Sequence, residues 1–99
     1  MAGQIRVTPG TLRDQATKVR SHRDTHDTTI LALTNQVENL HQVWEGEAQT
    51  AFFNNFMGMR ETFRNFSEML EGYARLMDTA ATELETTDQN LRSQMQNFG

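Results

Sequence analysis

The chain has 99 residues, 9 of them basic and 13 acidic, for a formal charge of −4, and 36% are hydrophobic. This is the size of one small domain with modest apolar content. Without cysteine it has no disulfide framework, Cys-ligated zinc or thiol nucleophile. Net acidity argues against nucleic acid as a partner.

In chain order, residues 1–8 read as a flexible arm with slight extended character at Ile5 and Val7. Its first twenty residues contain no apolar h-region, so no Sec-type signal peptide is expected. Thr8-Pro9 is a helix start: Thr caps free amides, and Pro at the first helical position gives up no hydrogen bond. Helix 1 is expected over residues 9–42. The turn spans 43–47, where Gly46 is the breaker because it accepts positive φ. Helix 2 is expected over 47–96, with Gly58 and Gly72 each weakening it by about 1 kcal/mol without ending it. No apolar run approaches the length of a membrane span.

Hydrophobic period carries this reading. Leu12, Ala16, Val19, Arg23, His26, Ile30, Leu33, Val37, Leu40 and Trp44 alternate at spacings of four and three. So do Phe52, Phe56, Met59, Phe63, Phe66, Leu70, Tyr73, Met77, Ala80, Leu84, Thr87 and Leu91. Such stripes belong to two helices packed side by side, and neither half alternates with the period of a strand. The fold class is therefore all-α: a helical hairpin forming a single domain over residues 1–99. Phe52, Phe56, Phe63, Phe66, Leu70 and Tyr73 are its expected core and dimer contacts.

Helix 2 also carries Phe53, Met69, Ala74, Leu76 and Ala81 beside its stripe. That face is too wide for one partner helix. Burying the surplus at about 25 cal/mol per Å² favours a second copy, giving a homodimeric four-helix bundle. The longer second helix outruns the first from about residue 83. This leaves a tail, residues 84–99, without a partner in its own chain.

Constellations for chemistry are sparse. His22 and His26 are four apart, but no His-Glu-x-x-His pattern or third acidic ligand accompanies them. Arg23 and His26 read instead as a polar break in the seam, with Arg23 reaching toward Glu68 or Glu71. No role is assigned to His41. No Ser-His-Asp order or Gly-rich phosphate loop occurs. No catalytic residue, cofactor or metal is expected.

Trp44-Glu45-Gly46 between two amphipathic helices in about a hundred residues resembles the WXG family, the Esx-like small substrates of type VII (ESX/Ess) secretion systems. Ile5-Arg6-Val7-Thr8-Pro9 before Leu12 looks like that family's entry to helix 1. Leu84, Asp88, Leu91 and Met95 match its Gram-positive tail pattern. The mycobacterial alternative, an acidic residue four after a Tyr, fails because Met77 follows Tyr73 at that distance. The resemblance thus implies a Firmicute-like, homodimeric type.

It further implies a non-enzymatic protein secreted without a Sec signal peptide as a folded dimer, after transient residence in the cytoplasm. Leu84, Asp88, Leu91 and Met95 would be its export signal, and a membrane-bound FtsK/SpoIIIE-type ATPase its reader. Co-secreted proteins that it carries are further partners the resemblance allows. Two other readings stay open at this point: a cytoplasmic structural or adaptor coiled coil, and a secreted helix pair that acts on membranes.

Overall fold

The computed structural model describes residues 7–98 and contains three helices: α1 over Pro9–Val43, α2 over Glu47–Gly58 and α3 over Arg60–Phe98. The Thr8 side chain accepts the Thr11 amide at 3.0 Å and Pro9 follows at the first helical position. The chain thus enters α1 as the sequence predicts. Of the arm expected over residues 1–8, the first six lie outside the described residues, as does the end of the tail at Gly99.

α1 closes where the Trp44 backbone N–H donates to the Leu40 carbonyl at 2.8 Å. Gly46 then adopts φ 122° and ψ 171°, a region essentially reserved for glycine. A Cβ there would meet no atom within 4 Å, so the requirement for glycine is one of backbone and not of space.

The second arm is not the single helix that the sequence predicts, because the ladder breaks for one residue at Met59, directly after Gly58. The Met59 amide donates to the Phe56 carbonyl, an i−3 bond, and the regular pattern resumes with Phe63 N–H to Met59 O. Glycine is the poorest helix former after proline, and Gly58 has no neighbour within 4 Å of where a Cβ would stand. The same holds at Gly72, so low propensity and open space permit the break without dictating it. The arm stays nearly straight nonetheless: residues 47–98 at 1.5 Å each span about 78 Å, against a long dimension of 80 Å. Gly72, by contrast, lies within an unbroken α3.

α1 packs antiparallel along α3. Seven of the ten positions that the period places inward are so: Leu12, Val19, Arg23, His26 and Ile30 are half-buried, and Ala16 and Val37 are buried, but Leu33, Leu40 and Trp44 are exposed, and Thr34 is half-buried beside Leu33. On the second arm the seam is rotated by one residue from the expected stripe. Ser67, Ala74 and Ala81 are buried, whereas Phe66 and Tyr73 are exposed. Small side chains at these positions, with Ala16 buried on α1, leave room for the two backbones to approach. Ala74 and Ala81 therefore belong to the seam, not to the surplus, and the surplus is built from larger residues.

Candidate recognition surfaces

The hairpin has two unlike sides, because residues two apart in sequence point about 200° apart around a helix. Phe66, Met69, Tyr73 and Leu76 look to one side of α3; Arg64, Ser67, Glu71 and Asp78 line the seam's other margin.

On the first side Phe52, Met59, Phe66 and Tyr73 recur every seven residues, flanked by Met69 and Leu76. All are exposed, Tyr73 by 52% and Leu76 by 65%. His26, Leu33 and Leu40, also seven apart, border this stripe from α1. The His26 ring lies 5.1 Å from that of Phe66 and 6.5 Å from that of Phe63. The residues expected as core thus divide. Phe56 is buried and Phe63 and Leu70 are half-buried in the seam, while Phe52, Phe66 and Tyr73 stand outside it. An apolar stripe with heptad spacing is the surface that a further helix would cover.

The other side is polar and cross-linked. Arg20 grips Glu71 with two parallel bonds, 3.2 Å from Nε and 3.1 Å from Nη2, and Asp78 at 2.7 Å. Arg23 reaches Glu71 at 3.3 Å and not Glu68, and its Nε donates to Ser67 Oγ at 2.9 Å. Ser67 in turn donates to Asp27 at 3.1 Å. Farther along, Arg13 pairs with Glu85. Hydrogen bonds from Arg20 hold the Glu71 carboxyl below its ordinary pKa, and the Ser67 hydroxyl does the same for Asp27. The Arg20 guanidinium is held still more firmly protonated by Glu71 and Asp78. Forked arginine–carboxylate bonds joined in a network are stronger than isolated surface pairs, so this ladder fixes the register of α1 on α3.

At the turn, the Trp44 ring leans over Phe52 with centroids 6.0 Å apart and remains partly exposed. Glu45 is exposed. The clasp behind them falls on His41 and Gln49, which have no assigned role, and on Phe53, expected on the surplus face but half-buried against α1: His41 stacks on Phe53 at 4.1 Å and hydrogen-bonds the buried Gln49 side chain. Gln49 sits one heptad before Phe56, and extending the seam backwards from Phe56 would have found it. His22 is exposed, and the described residues contain no group of three or more His, Asp or Glu able to hold a metal ion.

At the opposite end, α3 continues past its last cross-helix pair, Arg13–Glu85. Leu84, Asp88, Leu91 and Met95 follow at spacings of four, three and four, so they share one helix face. All four are exposed, Leu91 by 52% and Met95 by 73%. No described helix is long and apolar enough to cross a membrane.

Comparison with known proteins agrees with this architecture. Residues 4–89 match the family described as proteins of 100 residues with WXG. Protein YukE of Bacillus subtilis (strain 168) is 30% identical over 95 residues, which cover 96% of this chain and 98% of YukE. The crystal structure of EsxA from Geobacillus thermodenitrificans aligns with a TM-score of 0.78 at 31% identity, covering 92% of this chain and 98% of that one. A mutant form of the secreted protein EsxB from Bacillus anthracis str. Sterne aligns with a TM-score of 0.77, covering 87% of this chain and 96% of that one; at 22% identity it bears on the fold alone.

Proposed function

This chain belongs to the WXG100 family, and from that membership we propose that it is a non-enzymatic substrate of a type VII (ESX/Ess) secretion system, exported as a folded homodimer. Its reader is the FtsK/SpoIIIE-type ATPase of that system, and co-secreted proteins are its further partners. The observation that carries the proposal is the tail: an amphipathic helical end that runs past α1, with Leu84 exposed beside the last cross-helix pair, Arg13–Glu85, and Leu91 and Met95 exposed beyond it.

Exposed apolar anchors at helical spacing suit docking in a groove, and Asp88 on the same face gives that docking an orientation and a charge requirement. The stripe of Phe52, Phe66 and Tyr73 supplies the self-association. Water-exposed aromatics on one side of a rod are covered when a second rod lies against them. If the two hairpins lie antiparallel, the tail of one copy extends toward the Trp44-Glu45-Gly46 turn of the other. The signal is then bipartite, a tail from one chain beside a turn from its partner. This arrangement accounts for why a type VII machine would accept a folded dimer.

Replacing Leu84, Asp88 and Leu91 together by Ala tests the reading. The amount of protein in the medium relative to the cells is expected to drop by about tenfold or more, the effect of losing ~1.4 kcal/mol of docking, while the variant remains helical and dimeric. Undiminished export of a still-dimeric variant would overturn the assignment of the tail.

A further inference from the structure

The ion-pair ladder on the polar side of the hairpin ends before the groove between α1 and α3 does. Arg13, Arg20 and Arg23 are each matched with a carboxylate of Glu85, Glu71, Asp78 or Asp27. Next along the groove come Arg60 and Arg64, one helical turn apart on α3. Among the described residues neither has an acidic partner within 4.0 Å, although Glu61 and Glu68 lie three and four residues from Arg64 on the same helix. Here the groove opens to about 410 Å³, floored by Ile30 and Phe63 and flanked by Leu31, which is 64% exposed. Two exposed guanidinium forks without a carboxylate partner thus stand beside an apolar floor.

We propose that this groove is a docking site for a segment of another protein, one that brings a carboxylate to Arg60 and Arg64 and an apolar side chain to the floor between them and Leu31. Charge complementarity selects the occupant. The planar guanidinium matches a carboxylate bidentately, and arginine beside a desolvated apolar contact is the composition of an interface hot spot. The site is short and open, so it seats one or two side chains and does not enclose an acyl chain. The net charge of −4 opposes attraction to an anionic bilayer.

The arginine and Leu31 rim of this groove is set apart from the self-association stripe, although His26, which lines the groove's inner edge, also touches Phe66. Arg64 and Phe66, like Leu31 and Leu33, differ by two residues and face opposite sides of the hairpin. A dimer closed through Phe66 and Tyr73 therefore leaves one such groove open on each outer face. The inference takes from the proposed function only that closure. It names the occupant by chemistry alone: an acidic-apolar segment of another protein, two per dimer.

Site-specific photocrosslinking of the full chain in producing cells tests it. Leu31→p-benzoylphenylalanine is expected to form an adduct with a different protein, in a peptide containing Asp or Glu. That adduct should fall about tenfold when Arg60→Glu and Arg64→Glu are added, and return when the acidic residue of the identified peptide is changed to Arg. Circular dichroism verifies that the charge-reversed chain stays helical. Leu76→p-benzoylphenylalanine reports on the dimer separately, by self-adducts indifferent to the charge reversal, so loss of the dimer and loss of the groove are told apart. A Leu31 adduct to the chain itself, to lipid, or to a protein regardless of charge reversal would overturn the proposal, and so would no adduct at all.

Discussion

Glu71 is the residue on which the polar side converges. It accepts both arms of the Arg20 fork and one bond from Arg23, and Arg75 approaches it from the next turn at 3.7 Å. Its carboxyl titrates below the ordinary value in the folded chain, as does that of Asp27, and both return to ordinary values on unfolding. The unfolded chain therefore binds more protons in acid. The stability these groups contribute is complete above the ordinary carboxylate range and is lost as pH falls through that range and below. At constant protein concentration, the urea midpoint followed by circular dichroism should fall between about pH 6 and about pH 3. Glu71→Gln should lower the midpoint at neutral pH and flatten that slope. An unchanged slope in Glu71→Gln would mean that the network does not hold the hairpin.

The helices show how side-chain size, and not hydrophobicity alone, decides which face turns inward. α3 presents two adjacent apolar faces. Period alone ranks the face with Phe66, Tyr73 and Ala80 above the one with Ser67, Ala74 and Ala81, because it counts apolar character and not volume. Burial reverses the ranking: Ala16, Ala74 and Ala81 have no exposed surface at all, so the seam is built on small side chains. Ala74→Leu should accordingly destabilise the hairpin by about 1–3 kcal/mol through overpacking, read as a lower thermal or urea midpoint. A neutral effect would place the seam elsewhere. On α1 the expected stripe from Leu12 to Trp44 holds from Leu12 to Ile30 and at Val37, whereas Leu33, Leu40 and Trp44 are exposed; the Thr8-Pro9 start and the Gly46 turn were legible. The break at Met59 was not legible, because Gly58 and Gly72 carry the same propensity and neither has an atom within 4 Å of where a Cβ would stand; nothing in the structure explains why only the first interrupts the helix. The Arg20 fork escaped notice because Arg20 lies off the stripe, and its partners become visible only once the two helices are in register.

As a whole the molecule is a rod with a Cα radius of gyration of 22.7 Å, against about 13 Å for a globule of this length. A rod of two helices has little interior, and few of its large side chains are buried. Its large apolar residues are gathered on one side, its ion pairs on the other, and its tail projects past both. This distribution would let the proposed roles act separately: self-association through the stripe, recognition through the tail and turn, and partner capture in the outer groove. All three rest on closure through the stripe, because closure covers the aromatics, fixes which grooves stay open and brings a tail to the partner's turn. Light scattering of the intact chain beside a Phe66→Glu, Tyr73→Glu variant measures that closure directly. The account predicts about twice 11.4 kDa for the native chain and a helical monomer for the variant; a native chain that stays at the monomer mass, or a variant that still pairs, would contradict it.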